Sequence, residues 1–445
     1  MKRNSKENTM RTSIKKLLAA GAAGAMLFSL AACGNDSASS DDSVPVTIRF
    51  NWWGSDTRAK AQEKVIDAFE KANPNIKVET ETSNYDDYMT KLSTSAAAGD
   101  LPDVMTMIDP FMNDYMDNGS LLDLNEVSDN LDLSKFSDDT FSGATGDNGE
   151  KYGVSMGVSG HGMIINTKVF EKYGVEVPND ETWSWDDFEN AAKQISEKSG
   201  GEAVGYTLDM TEQMANLWVR QHDEAFGTKG DQAVAFKANT LADFFTMEKK
   251  WIDEGATNTA DQAQELFAAG NAPEQQLISQ DKAGMSVISM NQLSQFEQAA
   301  GHELKPVLWP GESQAKDRGG WTKQGTFVSI SANTEHKEAA AKLVDFLVNN
   351  EEAAKIMGLD RGVPANPDMA KAIEGQLSES DKRFSDWVAK SQKVNTQAFI
   401  PLNPGAATVI TDSYGRAHES VMFGKASPAD AAKTFKSEMD QAVTK

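Results

Sequence analysis

The 445-residue chain has a single cysteine, Cys33. No internal disulfide can form, so the fold depends on its core for stability. There are only five histidines, and none falls at a metal-ligand spacing. No nucleophile elbow, zinc motif or phosphate loop is present. Basic side chains are in deficit, with 43 Lys and Arg against 67 Asp and Glu. Six of the basic and one of the acidic side chains precede Cys33, so the remainder carries a formal net charge of −29. Such a chain does not fit nucleic acid, whose binding rests on phosphate neutralisation, and anionic lipid repels it. The acid is dispersed and reads as solvated surface. The acidic stretch 129–139 lacks the ligand spacing and glycine of an EF-hand loop. No apolar run approaches the ~20 residues of a spanning helix.

The lone cysteine has a telling position. Lys2, Arg3, Lys6, Arg11, Lys15 and Lys16 precede an uncharged run, "LLAAGAAGAMLFSL", over 17–30. A basic start, a short apolar stretch and a small-residue exit read as a secretory signal. The exit, Leu30-Ala31-Ala32-Cys33-Gly34, looks like a bacterial lipobox. In lipoproteins that match it, the thiol receives a diacylglycerol and cleavage makes the cysteine the new N-terminus. Residues 1–32 are therefore expected to be a lipoprotein signal peptide. Residues 33–43, rich in Ser, Asp, Gly and Asn, are expected to be a lipidated Cys33 and a flexible tether. The expected location is the outer face of the cytoplasmic membrane, held there by the lipid alone.

The roughly 400 residues that follow predict two or three domains. Val46, Ile48, Phe50 and Trp52 alternate along a strand that Gly54 ends. Val65, Phe69 and Ala72 share a helical face, stopped by Asn73-Pro74. "IKVETE" reads as a second strand. Tyr85, Tyr88, Leu92 and Ser95 mark a helix closed by Gly99, and "PDVMTMID" reads as a third strand. Strand, helix, strand, helix, strand predicts a parallel sheet covered by helices, with ligand at the carboxyl ends of its strands. Those ends are Trp53-Gly54-Ser55 and Asp109-Pro110-Phe111. Further on, Ser184 and Asp187 have capping-box spacing, and "AVGYTL" and "AGMSVISM" read as buried strands. "GTFVSIS" reads as a strand before a helix that carries Ala339, Leu343 and Phe346 on one face, and the chain from about 364 reads as helical.

Taken together, "AFEKANPNIKVE", "AAAGDLPDVMTMID", "YGVSMGVSGHGMIINTKVFEKYGVEVP", "TWSWDDF", "GGWTKQGTFVSISANTEHKEAAAKLVDFL" and "DRGVPAN" resemble the extracellular solute-binding lipoproteins of ABC sugar importers, the family 1, maltose-binding-protein-like group. The resemblance covers essentially the whole chain after Cys33. It implies an α/β fold of two lobes, a ligand cleft between them and three crossover segments. Carried over, lobe one spans 44–157 and 328–360 and lobe two spans 161–323 and 365–445. The crossovers fall near 158–160, 325–327 and 361–364, each containing a glycine. The resemblance also implies an oligosaccharide ligand, partner permease subunits with a separate ATPase, a monomeric chain, no cofactor and no catalysis.

A sugar offers hydroxyls at its edge and C–H groups on its face, so its site needs flat aromatics and planar polar groups. Trp53 lies opposite Trp52 by period two, so one can face a cleft while the other is core; both being core is the alternative. Ser55 and Asp109 follow strand ends, and Asp109 could equally be a helix N-cap. Phe111 reads as packing. The resemblance places Asp209 and Asn291 where this family reads ligand. Trp218 and Trp309 could stack on a sugar or fill the core, and Trp321, before a crossover and after Gly319-Gly320, is the leading candidate of lobe two. His161 reads as structural. Arg361 reads as a hinge ion pair or a ligand donor. "WWGSDTR" is also similar to binding proteins for uronate-containing oligosaccharides, for which Arg58, Lys323 or Arg361 would pair a carboxylate; a neutral oligosaccharide is the default. A cell-anchored carbohydrate-active enzyme and an adhesin are the competing classes.

Overall fold

The computed structural model describes residues 45–54, 56–146, 148–227, 234–268, 272–316, 318–394 and 406–443. Cys33, the signal and tether segments and Ser55 lie outside the described residues. The chain begins with β1 (Val46–Trp53), α1 (Asp56–Ala72), β2 (Ile76–Ser83), α2 (Tyr85–Ala98), β3 (Val104–Met107), α3 (Asp109–Asp117) and β4 (Val154–Ser159). It continues through β5 (His161–Ile165), α4 (Thr167–Lys172), α5 (Trp185–Lys198), β6 (Val204–Tyr206), α6 (Gln213–Arg220), α7 (Ala238–Asp253), α8 (Ala260–Ala268), β7 (Ala283–Ser289), α9 (Leu293–Ala300) and β8 (Lys305–Val307). Then come β9 (Lys323–Ile330), α10 (Lys337–Asn349), α11 (Glu351–Met357), β10 (Val363–Pro364), α12 (Pro367–Ile373), α13 (Glu379–Val394), α14 (Ala406–Met422) and α15 (Pro428–Val443).

Local sequence accounts for several boundaries. Asn73 donates to the Phe69 carbonyl and closes α1. The Asn84 side chain accepts from the Asp87 N–H at the start of α2, and Gly99 ends that helix at φ 70°. Ser184 and Asp187 form the expected reciprocal capping box on α5. Ala339, Leu343 and Phe346 of α10 are buried together as their spacing predicts.

The described strands form two sheets, ordered β10-β4-β9-β3-β1-β2 and β6-β7-β5-β8. The expected parallel sheet is real but limited to β2-β1-β3. β9 joins it antiparallel to β3 and β4, and β10 antiparallel to β4. Alternation along β1 splits two cores. Ile48, Phe50 and Trp52 pack with Val65 and Phe69 of α1 and Leu343 of α10, while Trp53 packs with Tyr88, Leu92, Met107 and Phe327. The second lobe has its own core around Phe170, Phe188, Tyr206, Trp251 and Tyr414.

The chain passes between the two sheets at three places: from β4 to β5, from β8 to β9, and from β10 toward α13. Two expected boundaries shift. Residues 325–327 lie in the middle of β9, where Phe327 pairs with Met107 and Thr326 with Gly157, so the crossing precedes Lys323. Residues after 364 return first to lobe one. Asn366 caps α12 and bonds the Asn349 side chain, and Gln376 donates to the Lys355 carbonyl of α11. Pro367 at the first turn starts this helix immediately after β10, which turns the chain back over α11.

The glycines of the crossover segments permit close backbone packing. A Cβ on Gly157 would sit 2.6 Å from the Arg361 carbonyl oxygen, and one on Gly362, at φ 105°, would sit 2.5 Å from that of Val158. β4, β9 and β10 can lie this close only where side chains are absent.

Candidate functional site

On lobe one the site begins at the carboxyl end of β1. Trp53 is 9% exposed. Its ring meets Tyr88 at 5.5 Å and the edge of Tyr85 at 5.9 Å. Tyr88 is fixed by donating to backbone oxygens of Asn51 and Thr106, and burial raises its phenol pKa well beyond the usual range. Tyr85, at the first position of α2, is one of two exposed large aromatics among the described residues. Arg361 reaches across from the β10 side. Its guanidinium lies over the Trp53 ring, and its Nη2 donates to the Trp53 carbonyl oxygen at 3.0 Å. Burial, and then the neighbouring Arg58 charge, lower the Arg361 pKa to about 9. Asp360 holds the arrangement together by accepting from Arg58 Nε at 2.5 Å. Asp109 is the first residue of α3; the N-cap is Ile108, not Asp109. The Asp109 side chain lies outside the described residues. Phe111 packs against the Trp53 core, as expected.

On lobe two, Asp209 follows β6 in a tight turn, its carboxylate accepting from the Thr211 N–H at 2.9 Å and hydroxyl at 2.8 Å. Burial outweighs these bonds and raises its pKa to about 7. It lines a pocket of about 130 Å³ with His161, Ser289, Gln292, Phe267 and Phe296. The hydroxyl of Thr207, in the same wall, is buried and has no partner among the described residues. Asn291, at the end of β7, is exposed and accepts from the Ser289 hydroxyl at 2.8 Å. Burial, then the Lys323 charge, lower the His161 pKa to about 3, so the imidazole is neutral at every physiological pH. Lys323 also lowers the pKa of Glu212, although burial raises it overall.

Lys323 connects the halves. It opens β9, and its charge acts on His161 and Glu212 of lobe two. Lys323 also lines a larger cavity, about 490 Å³, with Val158, Gln324 and Val363. No aromatic is among its described lining residues, so they offer no platform for a sugar face.

The tryptophans divide unevenly. Trp309 and Trp321 are 2% and 4% exposed, stacked with centroids 6.4 Å apart, and both belong to the second-lobe core. Arg220 lies 5.5 Å from the Trp321 ring and donates to the Gly319 carbonyl. The leading lobe-two candidate is therefore held within the core and presents no open face. Trp218 is partly buried and donates its indole N–H to the Thr240 carbonyl. The sequence reading missed Tyr85 and Asp360. Tyr85 starts a helix after a strand end, a signal that could have found it; Asp360 had none beyond its neighbour Arg361.

The chain matches the family described as bacterial extracellular solute-binding protein over residues 53–354, about two thirds of its length, and it belongs to that family of binding proteins. It is 23% identical to the diacetylchitobiose binding protein DasA of Streptomyces coelicolor over 96% of this chain and 98% of that one. It is 25% identical to a multiple sugar-binding protein of Streptococcus mutans over 78% and 81%. Its fold matches a periplasmic oligogalacturonide binding protein from Yersinia enterocolitica at a TM-score of 0.74 and 22% identity, over 89% and 98% of the two chains. Among the described residues no helix is long and apolar enough to cross a membrane.

Proposed function

We propose that the chain is the substrate-binding lipoprotein of an ABC importer, capturing an extracellular oligosaccharide and delivering it to a membrane permease driven by a separate ATPase. The observation that supports this reading is an aromatic corner, Trp53 with Tyr85, at the carboxyl end of β1 and a polar pocket around Asp209 just after β6. Flat rings suit the C–H face of a sugar and carboxylates suit its hydroxyls. The diacetylchitobiose and multiple sugar-binding relatives support a sugar as the solute. Trp53, Ser55, Asp109, Asp209, Asn291 and Arg361 are the proposed contacts, with Trp309 and Trp321 supporting the lobe-two wall from within.

The mechanism is capture without chemistry. A ligand that touches both lobes favours the closed arrangement because it makes more contacts there. In this reading lobe one is 44–157 with 323–376 and lobe two is 161–322 with 377–445, the boundaries following the packing of β9 and α12. A diacylglycerol on Cys33 would hold the monomer at the membrane. Thermal-shift measurements with neutral oligosaccharides and oligouronates test the reading. A ligand at 100 times its Kd adds ~2.7 kcal/mol, which is a shift of a few degrees. No shift with any sugar refutes it. Mass spectrometry of the native protein tests the anchor, and an unmodified Cys33 refutes that part alone.

A further inference from the structure

We propose that Asp360 sets the charge class of the ligand: by binding Arg58 and standing beside Arg361 at the lobe-one rim, it selects an uncharged sugar against a uronate. This rests on the sugar reading above. Arg58 spends its Nε on Asp360 Oδ2 at 2.5 Å and its Nη2 on the Asp360 carbonyl oxygen at 3.2 Å. Arg361 Nε stands 3.8 Å from the same Oδ2, and its Nη2 is committed to Trp53. A uronate carboxylate is best held by a guanidinium that offers two parallel N–H groups. Arg58 gives its Nε and Nη2 to Asp360, and Arg361, whose Nε has no hydrogen-bond partner among the described residues, has a side chain only 5% exposed.

Exposure points the same way. The Asp360 side chain is 33% exposed, against 23% for Arg58 and 5% for Arg361. Of the three side chains the Asp360 carboxylate is thus the most open to an incoming ligand. Asp360 Oδ1 has no hydrogen-bond partner among the described residues, so it can accept from a sugar hydroxyl. Asp360 thus stands against both arginines of the uronate reading, 2.5 Å from Arg58 Nε and 3.8 Å from Arg361 Nε. A hydroxyl gains an acceptor in this site, whereas a carboxylate enters beside Asp360 without a free counter-ion.

The test is calorimetry on the full chain with maltotriose, xylotriose and diacetylchitobiose beside trigalacturonate, for the native protein and Asp360→Asn. The expected result is native binding of at least one neutral probe at least 100-fold tighter than trigalacturonate. In Asp360→Asn the ratio should move at least tenfold toward trigalacturonate. Native preference for trigalacturonate, or an unchanged ratio in the variant, overturns the inference. Should the variant not fold, salt decides on the native protein. Screening of a repulsion strengthens trigalacturonate binding as salt rises, and screening of an arginine pairing weakens it; weakening overturns the inference. If no probe of either class binds, the sugar reading itself fails.

Discussion

The guanidinium of Arg361 lies 4.9 Å from the centroid of the Trp53 ring and donates to the carbonyl of that same residue. The two are 308 positions apart in the chain, and together they tie the third crossover to the end of the first strand. A lysine cannot both cover the ring and reach the carbonyl. Arg361→Lys should lower stability by ~1–2 kcal/mol and Arg361→Ala by ~2–4 kcal/mol in urea unfolding. Unchanged unfolding midpoints would show that the contact is idle.

The tryptophans should separate ligand from core. Trp53→Ala should weaken sugar binding at least 30-fold, about 2 kcal/mol. Trp321→Ala should lower stability by ~3–5 kcal/mol, as for other buried aromatics. Its effect on affinity, measured at a temperature where the variant is folded, should be the smaller of the two. The reverse order would put Trp321 in contact with ligand.

Asp209 should make stability fall as pH rises. Its folded pKa of about 7 stands above the ordinary aspartate value of 3.8, so between these values the folded state keeps a proton that the unfolded chain has released. Stability is then greatest near the lower value and declines until about pH 7. Asp209→Asn should remove this decline and raise the midpoint at pH 8, by on the order of 1 kcal/mol. Thermal melts from pH 4 to 8 on both proteins read it out directly.

Gly362→Ala meets two obstacles, a φ of 105° and a carbonyl 2.5 Å from the new Cβ. The cost should be at least ~1–3 kcal/mol. Because the obstacle lies between β4 and β10, the variant should also change the ligand-induced compaction seen by small-angle scattering. Gly375→Ala, where nothing lies within 4 Å, is the control and should alter neither.

His418 and Glu248 form a buried pair, Nε2 to Oε2 at 2.9 Å, joining α14 to α7. Burial raises the Glu248 pKa, and His418 opposes that rise. Removing the imidazole leaves the carboxyl without its partner. His418→Ala should cost ~3–5 kcal/mol, and hydrogen exchange should show α14 loosening first.

The elements were legible wherever one local rule decided them. Period two along β1, the Asn84 and Gly99 caps of α2, the capping box of α5 and the apolar face of α10 each depend on residues a few positions apart. The sheet was legible only in part. Strand and helix alternation predicted β2-β1-β3, but nothing in 323–330 states that β9 runs antiparallel between β3 and β4. The candidate site was legible only as a set of residue types. Trp53, Asp209 and Arg361 could be nominated from strand ends and crossovers, but the contact of Arg361 with Trp53 spans 308 positions, beyond any local rule.

The sequence by itself determined the family, the α/β elements, the expected export signal and the shortage of positive charge, because these follow from composition, local spacing and motif order. Only the tertiary structure decided that Trp309 and Trp321 stack within the second-lobe core while Trp53 packs with Tyr85 and Tyr88 at the end of β1, since both kinds sit at strand or loop ends. It also decided that Asp360 binds Arg58. That pairing depends on where a crossover strand returns to the first sheet, and the return is set by the packing of β10 on β4 and of Arg361 on Trp53.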